Sequence, residues 1–441
     1  MKLQLKNILV IQILALMWSP VSAQELLEKT EAVELALEYN YDIKVANNNV
    51  TQAFNNASIY NSGYLPTLSA NAGGNYNITS SSVTFGDGSE QNATGLKTNS
   101  LNAGLGLNYT LYDGNGRKYN YEILKENYNI SELQARQIIE SSLINIFAVY
   151  YEIARLTQNK INLVQSMSIS KERLLRAQYS FEYGQNTQLD VLNTEVNFNT
   201  DSINYLNISQ ELENTKRNLN VLLGRDVTIQ FEVDTTVIYA NNLSQELILD
   251  LALDNNVFVL QNRSFVNNSQ NNIVVSKSGY LPRINLNAGY NWDQRDNGAI
   301  SFFQKQSSNG VTAGLSLSWN IFDGGFTKTR IQNAKLQYDN QKIIQEQNNQ
   351  SIHRDVQNAW GFYQNSLFVL EAETKNLETN RRNFQRTQEQ NKLGQITSIV
   401  FREAQQNLLL SSLNFNRAKY EAKIAELALF QLSGELLEAD F

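Results

Sequence analysis

Few residues in this sequence are suited to chemistry. A single histidine sits in the run His353-Arg354-Asp355, there is no cysteine, and Met167 is the only methionine beyond residue 23. Without cysteine there is no disulfide framework, thiolate zinc site, iron-sulfur cluster or thiol nucleophile. His353-Arg354-Asp355 spells a kinase-like tripeptide, yet no glycine loop, lysine-bearing strand or metal-binding Asp-Phe-Gly accompanies it, and its surroundings read as mid-helix. Gly104-x-Gly106 and Gly114-x-Gly116 lack a third glycine and a parallel-sheet context. Gly86-Asp87-Gly88 with Glu90 reads as a plain turn rather than a Ca²⁺ loop. No catalytic, cofactor-binding or metal site is therefore expected. A lipase of the outer membrane would need its histidine beside a serine near a barrel, and His353 lies on the wrong element.

The elements around these residues follow from composition and period. The 441 residues are 42% hydrophobic and 18% charged, with 22 Gly and 3 Pro, which allows a sizeable core or two to three domains. The formal charge of -7 becomes -9 once Lys2 and Lys6 of the first 23 residues are subtracted, a sign that argues against a nucleic-acid partner. A mean hydropathy of -0.38 suits an aqueous protein or a β-barrel, whose alternating pattern hides its apolar face from a sliding average. Lys2 and Lys6, the apolar run Ile8 to Trp18 and the small residues Val21-Ser22-Ala23 read as a signal peptide, residues 1–23, cleaved before Gln24. The apolar run is too short for a spanning helix, which needs about 20 residues. The rest of the chain is expected to be exported.

The exported chain is written twice. Ser62-Gly63-Tyr64-Leu65-Pro66 recurs as Ser278-Gly279-Tyr280-Leu281-Pro282, an offset of 216, and Leu35-Ala36-Leu37 returns at the same offset as Leu251-Ala252-Leu253. Later landmarks keep an offset of 210: Ala103-Gly104-Leu105 with Ala313-Gly314-Leu315, Asp113-Gly114 with Asp323-Gly324, Gly184 with Gly394, Gly224 with Gly434. The difference falls in a Ser/Asn/Gly-rich stretch between Tyr76 and Ala103 that reads as a loop, where deletions are tolerated. The repeats span 24–224 and 243–441, joined by a connector, 225–242, with one short strand around Val227, Ile229 and Phe231. Helical patterns open near Thr30 and Ser244 and end at the two Tyr-Leu-Pro triplets, where proline switches the chain from helix to strand.

Strict alternation follows each proline. Leu68, Ala70, Ala72, Gly74, Tyr76 and Ile78 face one way, and Ser69, Asn71, Gly73, Asn75 and Asn77 the other. The same pattern recurs from Leu101, Ile284 and Val311, giving strands about 67–79, 100–112, 283–293 and 310–322. This length and dyad period suit strands crossing a bilayer with lipid outside and water inside. The polar faces are almost uncharged, as a solvated lumen allows. Aromatics at matched positions, Tyr76 with Trp292 and Tyr109 with Trp319, read as membrane girdles. Unpaired strand edges cannot face hydrocarbon, and bacterial barrels begin at eight strands, so four strands per chain require several chains to close one wall.

After each second strand comes a long stretch without Pro: Arg117 to Tyr183 has no Gly either, and Thr327 to Leu393 has Gly361 alone. As one helix each reaches about 100 Å, too long for a globular core. Gly184 and Gly394 supply left-handed turns, Thr187 and Thr397 cap returning helices, and these end near Gly224 and Gly434. The two helical hairpins are thus expected at about 115–224 and 327–434.

The duplicated order of helix, strand, strand and long helical hairpin resembles that of TolC-type outer-membrane efflux proteins. Tyr-Leu-Pro precedes each first strand, and Leu111-Tyr112-Asp113-Gly114 and Ile321-Phe322-Asp323-Gly324-Gly325 follow each second one. The resemblance implies a mixed fold of α and transmembrane β structure: a homotrimer with a shared twelve-stranded barrel continued by an α-helical tunnel into the periplasm. It implies a passive exit duct of tripartite efflux or type I secretion, opened by iris-like motion of the tips. A periplasmic adaptor (membrane fusion) protein and an inner-membrane transporter are the implied partners, besides outer-membrane lipid. The adaptor would meet the tips at Gly184, Gln185, Asn186, Gly394, Gln395 and Ile396. The resemblance also places pore-lining carboxylates six and nine residues after the second tip glycine, here Val400 and Glu403, so Glu403 alone matches by charge. It assigns Asp190 to holding the closed state through an Arg at position 396, which is Ile396 here, leaving Arg386 and Arg402 as alternatives. Asp190 also fits an N3 acid capping Thr187. The rival reading is a periplasmic coiled-coil scaffold or adhesin with a soluble β-domain.

Overall fold

The computed structural model describes residues 25–240, 243–297 and 303–438. The expected signal peptide lies outside the described residues. The elements run β1 (Glu25–Leu27), α1 (Lys29–Tyr39), α2 (Tyr41–Asn56), β2 (Thr67–Thr84), β3 (Glu90–Tyr112), α3 (Gly116–Glu182) and α4 (Gln188–Leu222). After the short β4 (Phe231–Val233) they continue as α5 (Gln245–Asn255), α6 (Val257–Lys277), β5 (Arg283–Asp296), β6 (Lys305–Ser318), α7 (Phe326–Lys392) and α8 (Ser398–Ser433). Both long helices, α3 and α7, have 67 residues. No helix among the described residues is long and apolar enough to cross a membrane.

The chain forms two compact units. The first holds residues up to Asn47, Gln134–Val259 and those from Asn349 onward. Its main core joins Leu143, Ile146, Phe147, Tyr150 and Ile153 of α3 to Leu27, Ala32, Ala36, Leu219, Phe231 and Leu427. A smaller core joins Ile248 and Ala252 of α5 to Val356 and Tyr363 of α7 and Leu429 of α8. β1 pairs with β4 in parallel, bringing the start of repeat one onto the connector. The buried Tyr150 hydroxyl secures both: it donates to the Leu27 carbonyl (2.8 Å) and accepts from the Asp234 N–H (3.0 Å). Because the chain enters α1 from β1, that helix starts at Lys29 and Thr30 is not its cap, whereas Ser244 does cap α5.

The second unit, Asn48–Leu133 with Leu260–Asn348, contains a four-stranded antiparallel sheet in the order β2-β3-β5-β6. All four strands depart from the expected bounds; β5 runs to Asp296 rather than 293 and β6 begins at Lys305 rather than 310. β2 and β3 run on through the Ser/Thr-rich stretch to a turn closed by Phe85 and Ser89, with a bulge between Thr79 and Ser81. Alternation of apolar and polar residues reports only strands with one buried face, so a wholly exposed ribbon gives no such signal. β6 ends at Ser318, short of Ile321, because no neighbouring strand covers that edge.

The repeat is kept in detail. Asn40 Nδ2 donates to the Leu222 carbonyl (2.7 Å), and Asn256 Nδ2 to Leu432 (3.0 Å). Asp113 Oδ2 accepts from the Arg117 N–H, and Asp323 Oδ2 from Thr327, both at 2.9 Å. Gly224 and Gly434 both take left-handed φ; a Cβ at either would come within 2.6 Å of a backbone oxygen, that of Tyr39 or of Asn255.

Candidate functional site

The sheet offers one apolar and one polar face. Leu68, Leu107, Ala288 and Ala313 form one row across all four strands, and Ala70, Leu105, Tyr290 and Val311 the next. Single-file alternation puts the polar set behind them: Asn71 opposes Gly104 and Asn291, and Asn287 opposes Gly314. Both edge strands, β2 and β6, are exposed throughout. Of the residues expected in the girdles, Tyr76, Tyr109 and Trp292 share the apolar face, while Trp319 lies just beyond β6, its Nε1 donating to the Tyr280 carbonyl at 3.0 Å. The row through Trp292 reaches β2 at Ala72 rather than Tyr76, the stagger of strands tilted in a barrel.

The two helix tips lie in the first unit. Gly184 and Gly394 adopt φ of 72° and 68°, and in each the next N–H reaches back to a carbonyl of the last turn, Gln185 to Ser180 (2.7 Å) and Gln395 to Gln390 (2.9 Å). This is the left-handed end that lets a helix reverse. Gln185, Asn186 and Gln395 are exposed, whereas Ile396 packs in a small cluster with Phe384 and Phe401. Thr187 and Thr397 cap α4 and α8.

Asp190 closes a capping box with Thr187: its Oδ2 accepts from the Thr187 hydroxyl (2.7 Å) and N–H (3.3 Å). Glu403 and Val400 are exposed on α8, and Arg386 is exposed on α7. Of the two arginines, Arg402 is the one that pairs across the hairpins, and its partner is Asp201 of α4 rather than Asp190. Its Nη1 and Nη2 each donate to an Asp201 oxygen at 2.7 Å. Asp190, at the very start of α4, is already held by its own helix end.

The pair is set in a buried polar network. Ser166 and Ser170 of α3 donate to Asp201, and Gln405 Nε2 donates to the Ser166 carbonyl (2.9 Å) and the Ser170 hydroxyl (3.1 Å). The side chains of Arg402 and Asp201 are 11% and 1% exposed. Burial alone would raise the Asp201 carboxyl, but hydrogen bonds from Arg402 and Ser170, with the Arg402 charge, hold it below the usual carboxylate range. Arg173 lies over the Phe401 ring, 5.0 Å from its centroid, and donates to Ser398; burial and the Arg402 charge push it down to about 10. Sequence reasoning missed Asp201. The signal was there: it falls seven residues after buried Thr194 and seven before Ile208 of the core, an acid on the apolar seam of a helix.

Among the described residues no group of His, Cys, Asp and Glu could hold a metal ion. What the described residues offer is a sheet with one apolar face and, in the first unit, two helical reversals whose hairpins are joined by the Arg402–Asp201 pair.

Comparison with known proteins gives a consistent picture. The family described as "Outer membrane efflux protein" matches residues 32–225 and 248–435. The chain is 22% identical over 395 residues to the "Outer membrane protein TolC" of Vibrio cholerae, covering 88% of this chain and 86% of that protein. It is 23% identical over 325 residues to the "Alkaline protease secretion protein AprF" of Pseudomonas aeruginosa, covering 70% and 65%. Among solved structures, the CmeC outer membrane channel of Campylobacter jejuni superposes with a TM-score of 0.76 at 18% identity, covering 92% of this chain and 86% of that one.

Proposed function

The chain belongs to the outer membrane efflux protein family, and from that premise we propose how it works as the outer-membrane exit duct of an efflux or type I secretion system. Three copies contribute four strands each to one twelve-stranded wall, with their helical hairpins forming a tunnel in the periplasm. The duct is passive and not an enzyme: a periplasmic adaptor meets the tips around Gly184 and Gly394, and an inner-membrane transporter supplies the energy.

The observation that carries this reading is the four-stranded sheet with an apolar face and two unpaired edges. Each unpaired N–H or C=O left in hydrocarbon costs several kcal/mol, about 4–8 on a cyclohexane scale. The edges must therefore be covered by other strands, and identical copies supply them. At the tips, Arg402 and Asp201 hold the two hairpins of one chain together, so iris-like opening requires this pair to turn or part. Three copies of the exposed Glu403 give the entrance a negative field that favours cations.

The test is fractionation with conductance. Extraction from outer membranes only by detergent, with channels in planar bilayers, is the expected result. Release by osmotic shock as a soluble particle would establish a scaffold instead.

A further inference from the structure

We propose that β6 of one copy pairs with β2 of the next in the register that joins β3 to β5 inside the chain. This rests on the shared wall proposed above and specifies the interface residue by residue. The ground for it is that strand registers obey the sequence repeat. Shifting β2 by 216 and β3 by 210 turns the pairs from Thr67↔Asn108 to Thr79↔Leu96 into those from Arg283↔Ser318 to Arg295↔Gln306, which are the observed β5–β6 pairs. The remaining internal junction, β3 with β5, is where one repeat meets the next. In a closed ring the same kind of junction recurs where repeat two meets repeat one of another copy.

Applying the same shifts to the β3–β5 pairs gives the seam. Ala103↔Trp292 becomes Ala313 with Tyr76 of the partner subunit, and Leu105↔Tyr290 becomes Leu315 with Gly74 of the partner subunit. Leu107↔Ala288 becomes Leu317 with Ala72 of the partner subunit, and Tyr109↔Leu286 becomes Trp319 with Ala70 of the partner subunit. All eight positions belong to the apolar pattern, so lipid and lumen faces continue across the seam; a one-residue slip would turn one strand inside out. Each pair sets a large side chain beside Ala or Gly. Following one row, Leu68, Leu107, Ala288 and Ala313 lead to Tyr76 of the partner subunit, eight residues along from Leu68, and a steady stagger of this kind is what closes a tilted barrel.

Two further features fit this junction. Gly114, at φ 69°, is so close to Leu281 that a Cβ there would lie 2.8 Å from the leucine Cβ; its repeat equivalent Gly324, at φ 67°, has nothing within 4 Å. The seam brings Leu65 of the partner subunit, the equivalent of Leu281, onto Gly324. Likewise β3 stays a strand to Tyr112 because β5 covers it, while the equivalent residues after Ser318 are outside any strand, with Ile321 and Phe322 85% and 89% exposed. The partner strand extends β6 through them.

Disulfide mapping tests the register, since the protein has no cysteine of its own. Directly opposed residues have Cβ atoms about 4.5–5.5 Å apart, close enough for oxidation to join them, whereas a two-residue slip is not. The double variant Gly74→Cys with Leu315→Cys, oxidised in outer membranes, is expected to run as covalent dimers and trimers on denaturing gels. The pairs Ala72→Cys with Leu315→Cys and Tyr76→Cys with Leu315→Cys should link at least about tenfold less. The internal pair Leu105→Cys with Tyr290→Cys, linking within one chain, is the positive reference. Preferential linking through position 72 or 76, or an intact trimer in which only the internal pair links, overturns the register and leaves the shared wall standing. Monomeric particles in detergent with no link between chains overturn both.

Discussion

Helices α3 and α7 have the same length and begin at matching Asp-Gly turns, yet they lead different lives. On α3, Leu143, Ile146, Phe147, Tyr150 and Ile153 are buried in the main core. Shifted by 210, these positions on α7 are His353, Val356, Gln357, Trp360 and Tyr363, of which only Val356 and Tyr363 are buried. The difference is the connector: β1 and β4 lie against the α3 side, with Tyr150 bonding both, and among the described residues nothing equivalent is laid over α7. In the sheet the asymmetry runs the same way, since β3 and β5 cover each other while β2 and β6 keep open edges. A duplicated chain thus shows which surfaces it finishes internally and which it leaves open.

The largest difference between α3 and α7 is expected in the core. Phe147→Ala should cost about 3–5 kcal/mol, while Gln357→Ala, its exposed counterpart, should stay within about 0.5 kcal/mol. Denaturant unfolding of the two variants measures both, and equal losses would mean the helices share the load. Next in size is the tie between hairpins. Arg402→Ala strands a buried Asp201 carboxylate, at about 3–5 kcal/mol, and is expected to raise resting conductance in bilayers. Asp190→Ala removes only a capping box, about 0.5–2 kcal/mol, and should leave conductance unchanged.

The same tie fixes a pH dependence. The Asp201 carboxyl is depressed in the folded protein, so its contribution is fully present above the ordinary Asp value of about 3.9 and is lost as pH falls below it through the folded value. Conductance should therefore be flat from neutral pH down to about 4 and rise only in stronger acid. Opening between pH 5 and 6 would point to another group. Between the Arg402 and Asp190 variants in size is Tyr150→Phe, which leaves the Leu27 carbonyl and Asp234 N–H unpaired at about 1–3 kcal/mol and should increase hydrogen exchange in β1 and β4 alone. The least effect on stability is expected from Glu403→Ala, which should lower the cation preference of the open pore without changing unfolding; unchanged reversal potentials would remove Glu403 from the entrance.

The amino-acid sequence by itself determined the duplication, the faces of the strands, the two uninterrupted helices and their reversals at Gly184 and Gly394. Each of these is written within a few residues, as a period, a cap, a proline or a left-handed glycine. Only the tertiary structure decided that β1 lies beside β4, that β6 stops at Ser318, and that Arg402 takes Asp201 in preference to Asp190. Those outcomes join residues as far as 206 positions apart, as Glu25 and Phe231 are, and they depend on which helix faces and strand edges meet once the elements pack. Local pattern sets what each element is; the competition among distant surfaces for burial sets what it touches.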